Sequence, residues 1–307
     1  MTITVPGRAA FALRRTRPRH FLMCPPTYFD VRYAINPWMD PTFPVDRPLA
    51  LAQWSALVEA YRAAGHRVDL LDPVPGLPDM VYAANGAFAL DGIVLPARFA
   101  YAERAPEAPV HAEWHRRNRT GWASPAIAEP VATNEAEGDF AVLSDRILAG
   151  HGFRTSRAAH GELAALTGRE VISLELVDPR LYHLDVALTV LDDERDHIAY
   201  FPDAFSPDSQ RRLADCFPDA ILATEADAYA FGLNCVSDGR TVFVPAGAAH
   251  LRMQIAAAGY RPVSIDLSEL AKGGGSVKCC TQELHAFRRS KESPSLPMTR
   301  TRREGRP

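Results

Sequence analysis

The chain has 307 residues, 47% of them hydrophobic and 23% charged, with a formal net charge of -3. That composition suits a globular protein with a sizeable core and excludes a nucleic acid as the expected partner. No run of about 18 apolar residues exists to form a membrane-spanning helix, so no membrane partner is expected.

Residues 1–19 are basic and lack a long apolar stretch, so they are expected to be a short disordered leader rather than a secretory signal. The five cysteines, Cys24, Cys216, Cys235, Cys279 and Cys280, are scattered and contain no CxxC pair. This argues against structural zinc or any other metal, and for a reduced, cytoplasmic setting. No cofactor is expected.

A first strand is predicted over 21–24. It runs into Pro25-Pro26 and an irregular aromatic segment through Ile35-Asn36-Pro37-Trp38, where the prolines force an extended path. A helix is predicted over 51–64, with Trp54, Leu57, Val58 and Tyr61 at helical spacing and Gly65 after its end. A strand over 66–71 follows. Val81 starts another, with Asn85-Gly86 as a turn, and a hairpin is predicted around Asp91-Gly92. A helix over 107–118 completes this region.

The middle of the chain repeats the pattern. Strands flank Ser144-Asp145, a helix over 156–166 ends at Gly168, and a strand covers 171–176. Strands over 184–191 and 197–201 precede a helix opened by Ser206-Pro207, then a strand over 220–224. A hairpin around Asp238-Gly239, a helix over 248–258 and a strand over 263–267 follow. The recurring unit is hairpin, helix, strand, which indicates an α/β repeat architecture. A doubly wound sheet is the runner-up, but hairpins do not belong in its rhythm. Residues 20–287 form one catalytic domain in this reading. The basic, Ser/Pro-rich stretch 288–307 is expected to be a disordered tail. The apolar helix faces suit a core or a homo-oligomer interface equally well.

Four polar groups stand beside turns: Asp79 with Asn85, Glu137-Gly138-Asp139, Tyr182-His183-Leu184-Asp185, and Cys279 after Gly273-Gly274-Gly275. His183 and Asp185 are placed at the start of a strand, pointing to one side at period two. Cys279 and Cys280 are placed on a strand over 277–284, so only one can face a site. A thiol, a histidine and several carboxylates suit nucleophilic catalysis on a cationic substrate.

The segments CPPTYFDVRYAINPWMD, PDMVYAANGAF, EGDF, YHLD and GGGSVKCCT resemble, in order, those of the guanidino-group-modifying superfamily. That superfamily includes arginine deiminases, dimethylarginine dimethylaminohydrolases, amidinotransferases and arginine dihydrolases. The resemblance is greatest to the dihydrolase and bacterial dimethylargininase-like branch. It implies a five-bladed α/β propeller (pentein) with the site in a central channel, and a small guanidino compound as partner. It further implies Cys279 as nucleophile, His183 as general acid/base and Glu137 as the carboxylate assisting proton transfer. Glu137 and Asp185 would hold the guanidinium, and Asp79 would contact the substrate. Arg98 and Arg154 would grip the substrate carboxylate, with Asn36 as an additional contact.

Two departures bear on substrate. Asp185 stands where dimethylarginine hydrolases carry Lys, which favours an unmethylated guanidinium. Asn85 stands where deiminases carry Asp, and an amide suits a urea-like intermediate that is hydrolysed again. The expected reaction is therefore arginine to ornithine, carbon dioxide and ammonia. The alternatives are a dimethylargininase, an amidinotransferase and a catalytically silent binding propeller.

Overall fold

The computed structural model describes residues 14–118 and 125–285. Local sequence sets each hairpin. At Asp91-Gly92 both residues adopt positive φ (53° and 85°), the geometry that matches strand twist in a two-residue turn. The chain folds into the same small unit again and again: two antiparallel strands, a helix on the way out, and a third strand that returns parallel to the second.

In chain order, β1 (His20–Met23), α1 (Arg47–Ala63) and β2 (Arg67–Leu70) come first. The second unit is β3 (Ala87–Leu90), β4 (Ile93–Pro96), α2 (Glu107–Arg117) and β5 (Ala126–Ile127). The third is β6 (Phe140–Val142), β7 (Arg146–His151), α3 (Arg157–Thr167) and β8 (Glu170–Glu175). A short helix α4 (Leu184–Ala187) leads into β9 (Leu188–Asp192), β10 (His197–Tyr200), α5 (Pro207–Cys216) and β11 (Ile221–Leu222). Helix α6 (Glu225–Tyr229) leads into β12 (Val236–Ser237), β13 (Thr241–Pro245), α7 (Ala249–Ala257) and β14 (Arg261–Ile265). Helix α8 (Ser268–Ala271) and β15 (Gln282–Glu283) finish the described chain.

Among the described residues these strands make five three-stranded sheets. The first is completed by the end of the chain: β15 pairs antiparallel with β1, with Phe21 opposite Glu283, while β2 lies parallel on the other side of β1. Single bridges tie units together, Arg98 to Asn134 and Leu176 to Phe205. Leu90 likewise bridges His285. Aromatic packing joins the first and last units: the Tyr61 ring lies 4.6 Å from Phe21 and 4.7 Å from Phe243. Helix α1 is fixed by the Asp46 carboxylate, which accepts from Leu49 N, and buries Trp54, Leu57, Val58 and Tyr61 against the core.

Several expectations are corrected. The residues around Val81 are not a strand: Pro78–Val81 and Ala83–Asn85 form two 3₁₀ turns, and the strand starts at Ala87. His183 caps α4 and Asp185 sits in its first turn, so period-two alternation does not apply. Cys279 and Cys280 lie in a run of turns, not on a strand. Residues 14–19, expected at the end of a leader, are bound to the domain. Arg14 reaches Asp192 at 3.2 Å, Arg17 reaches Asp192 at 2.9 Å, and Arg19 bridges Asp193 (2.8 Å) and Glu283 (3.1 Å). Residues 1–13 and the expected tail lie outside the described residues. No helix among the described residues is long and apolar enough to cross a membrane.

Candidate active site

The segment just before the first strand of each unit is irregular, and each such segment carries buried polar side chains. Asp79 and Asn85 precede β3, Glu135 and Asp139 precede β6, His183 and Asp185 precede β9, Asn234 precedes β12, and Cys279 precedes β15. Short 3₁₀ and helical turns leave backbone groups unpaired and aim side chains away from the sheet. Five-fold repetition of one local device thus gathers these groups.

Cys279 Sγ donates to Asp185 Oδ2 at 3.1 Å and receives Asn234 Nδ2 at the same distance. Its backbone is also pinned: Cys279 N donates to Asn234 Oδ1, and its carbonyl accepts from Ala84 N, both at 3.1 Å. Burial, then the Asp185 carboxylate, pushes the thiol well above its ordinary pKa, so Cys279 rests protonated. Burial raises Asp185 to about 7, against the opposing effects of the Cys279 hydrogen bond and Lys278. Cys280 is fully buried, and its N–H donates to the Ser276 carbonyl.

His183 Nε2 donates to Glu135 Oε2 at 2.8 Å. The expectation that Glu137 stands beside His183 is not met. Glu137 Oε2 pairs with Lys278 Nζ and accepts Glu283 N at 2.9 Å, while its Oε1 lies 3.5 Å from His285 Nε2. Glu137 borders a cavity shared with Lys278, Glu283 and His285 that neither His183 nor Cys279 lines. The cause is local: Ala136 adopts φ 50°, which sends its two glutamate neighbours in different directions. Burial alone would raise Glu135, but Arg154, His183 and Arg104 hold it down at about 2. Burial raises Asp139 to about 6, and its Oδ1 accepts Leu184 N at 3.0 Å.

Asp79 Oδ2 accepts Tyr33 Oη at 2.9 Å, and Arg104 Nε lies 3.9 Å away. Burial raises the Asp79 pKa. Both ends of the Asn85 amide are bonded. Its Oδ1 accepts Arg104 Nη1 at 3.0 Å and its Nδ2 donates to the Glu135 carbonyl at 3.4 Å. Arg104 itself pairs with Glu107 at 2.8 Å. Arg154 also has partners: it donates to Glu135 Oε2 (3.0 Å) and the Ile35 carbonyl (2.8 Å), with Tyr101 and Tyr182 rings against it. Arg98 is apart and exposed, donating to the Val131 carbonyl. Asn36 Nδ2 donates to the Gly273 carbonyl at 3.1 Å, and its Oδ1 accepts Trp38 N at 2.9 Å.

The glycines do not form an open approach. A Cβ on Gly273 would lie 2.2 Å from Tyr82 Oη, and one on Gly274 would lie 2.7 Å from the Asn36 amide. They are small because Tyr82, Asn36 and Tyr182 pack onto the loop that carries Cys279. Sequence reading missed Glu135, Arg104, Asn234 and Lys278. The repeated position before each first strand was the available signal for Glu135 and Asn234. Among the described residues, no group of three or more His, Cys, Asp or Glu side chains is set to hold a metal ion.

No protein-family model matches the chain. The chain is 53% identical over 277 residues to an N(G),N(G)-dimethylarginine dimethylaminohydrolase of Mycobacterium tuberculosis, covering 89% of this chain and 88% of that protein. It is 35% identical over 268 residues to the bifunctional arginine dihydrolase/ornithine cyclodeaminase AgrE of Nostoc, covering 85% of this chain but 37% of that longer protein. Among solved structures, it resembles the N-terminal domain of ArgZ bound to substrate, an arginine dihydrolase from cyanobacteria. The TM-score is 0.81 at 31% identity, over 87% of this chain and 98% of that domain.

Proposed function

The chain belongs to the family of guanidino-group-modifying hydrolases that holds the dimethylarginine dimethylaminohydrolases and the arginine dihydrolases, and we propose that it hydrolyses the guanidinium of arginine or a close relative through Cys279. The same reading takes the five units as blades of a closed α/β propeller with this site in its central channel.

One observation carries the substrate class. Asp79 Oδ1 and Asp185 Oδ1 are both buried and without any hydrogen-bond partner. Unpaired buried carboxylate oxygens are costly, and they suit a ligand that brings in-plane N–H donors and a positive charge. A guanidinium supplies both. Arg104 and Arg154 are buried and paired, whereas Arg98 is exposed, and it is the proposed grip for a substrate carboxylate.

The resting thiol is not yet a nucleophile. A bound guanidinium adds positive charge beside Sγ and favours the thiolate. Sγ–H gives its proton to Asp185, already its acceptor, and Sγ bonds to the central carbon. His183, held on Glu135, protonates the departing nitrogen, and the C–N bond breaks to leave an S-alkylthiouronium. Water then gives a proton to His183 as its oxygen bonds to the same carbon. The C–S bond breaks with its electron pair returning to sulfur, and Asp185 returns the proton to it. The remaining hydroxyl proton leaves with ammonia, so the products of this first step are a ureido compound and ammonium.

Asp185, a second carboxylate, favours unsubstituted arginine, and the amide of Asn85 favours a second hydrolysis to ornithine. A dimethylargininase reading is supported by the 53% identical relative. The purified protein should be incubated with arginine, dimethylarginine, agmatine and citrulline. Ornithine with two ammonia per arginine supports the dihydrolase, and citrulline as the sole stable product sinks it. Dimethylamine released from dimethylarginine supports the second reading. Turnover retained by Cys279→Ala would sink the mechanism.

A further inference from the structure

The resemblance and the mechanism leave Asn234 without a role, yet it is the most heavily bonded polar side chain at the nucleophile. It is fully buried. Its Oδ1 accepts two backbone N–H groups of the cysteine loop, Ser276 N and Cys279 N, each at 3.1 Å. Its Nδ2 donates to the Asp185 carbonyl at 3.0 Å and to Cys279 Sγ at 3.1 Å. One amide therefore ties three things together: the loop that carries the thiol, the turn that carries Asp185, and the sulfur itself.

We propose that Asn234 both places Cys279 Sγ and stabilises its thiolate, as the contribution of the fifth unit to the site. The inference rests on the reading of Cys279 as nucleophile. Two independent observations carry it. The first is the position of Asn234 in the repeat: it precedes β12 as His183 precedes β9 and Glu135 precedes β6. The second is the direction of its bonds. Sγ has two polar side-chain partners, and they act oppositely when the proton leaves. Asp185 is the acceptor that takes the proton from sulfur and later hands it back. Asn234 Nδ2 can only donate, so its bond strengthens as negative charge develops on sulfur. A hydrogen-bond donor aimed at a group that becomes charged during reaction is worth more in a site closed to water than on the surface. The amide is also held from both ends, so its donor is already oriented before the sulfur ionises.

Asn234→Asp separates this role from loop support. The carboxylate keeps an acceptor for Ser276 N and Cys279 N but loses the donor to sulfur and to the Asp185 carbonyl, and it adds a charge that itself opposes a thiolate. The readout is the pH profile of Cys279 alkylation by iodoacetamide, followed by mass spectrometry of the peptide that carries it, beside kcat and KM for arginine. The expected result is a profile displaced to higher pH by one unit or more, so alkylation at a fixed neutral pH slows at least about tenfold. The value of kcat should fall with KM little changed. Asn234→Leu removes the donor without adding a charge, so a shift shared by both variants belongs to the lost donor, and it carries the test alone if the aspartate variant has no cooperative melting transition. Alkylation profiles that superimpose on the wild type overturn the proposal. Failure of the wild-type protein to turn over any guanidino compound would sink the proposed reaction instead, while the alkylation profile would still decide the part played by Asn234.

Discussion

His183 and Glu135 are joined by a 2.8 Å hydrogen bond, while Glu137, two residues further on, is bonded to Lys278, the residue before Cys279. Exchanging the two glutamates one at a time separates acid/base support from framework. Glu135→Gln should lower kcat by about 10²–10⁴-fold, the range for a lost acid/base assembly. Glu137→Gln should leave kcat near the wild-type value and lower stability by about 3 kcal/mol, since it strands the Lys278 charge. Paired kinetics and denaturant melts on both variants check this, and a larger kcat loss for Glu137→Gln would reverse the assignment.

Gly274 takes φ +91°, and a methyl there would meet the Asn36 amide and the Tyr182 hydroxyl inside 3 Å. Gly274→Ala is expected to cost about 1–3 kcal/mol through the combined backbone and contact strain. It should also lower turnover, because the loop that moves is the one bearing Cys279. Calorimetric melting and kcat measured on the same preparation test the link. A stable variant with unchanged turnover would show that the loop tolerates the shift.

Acid should act on a buried pair of histidines. His111 and His115 lie one turn apart on α2 and share Gln282, with Gln282 Oε1 3.3 Å from His111 Nδ1 and Gln282 Nε2 3.1 Å from His115 Nε2. Burial pushes His111 down to about 3 and His115 down to about 4. Below about pH 6.5 the unfolded chain therefore takes up protons that the folded chain refuses. Each histidine then removes about 1.4 kcal/mol of stability per pH unit until its folded pKa is reached. Asp139 and Asp185 carry the opposite sign. Burial raises both, so their share of stability is full at acid pH and is lost as pH rises through their raised values. A melting curve sums these effects, whereas imidazole NMR resolves them. Both rings should be neutral at pH 5, and a protonated signal from either would contradict the expected shifts.

Much of the framework was legible because its signals are local. Asp91-Gly92 and Ser144-Asp145 marked hairpins, the Trp54–Tyr61 spacing marked α1, and Ser206-Pro207 marked the start of α5. The site was legible only in part, for physical reasons. The segments that hold it are short turns whose polar–apolar order imitates a strand, as at Tyr182–Asp185. Which of two nearby glutamates faces His183 depends on the positive φ of Ala136, a conformation no alanine advertises. Arg104 and Asn234 act through partners 19 and 45 positions away, Asn85 and Cys279, and only tertiary structure shows such pairs. The basic start of the chain was misjudged because its arginines find their carboxylates more than 170 residues later.

The closure of the first sheet by β15 has a consequence for synthesis. The partner that β1 needs, and the loop bearing Cys279 immediately before it, leave the ribosome only after all the other units. A nascent chain can assemble four units with the histidine and carboxylates in place and still lack its thiol. Catalytic competence should therefore arrive in one late step, together with the pairing of the two ends, and premature release should yield an inert protein with an open strand edge exposed to other chains.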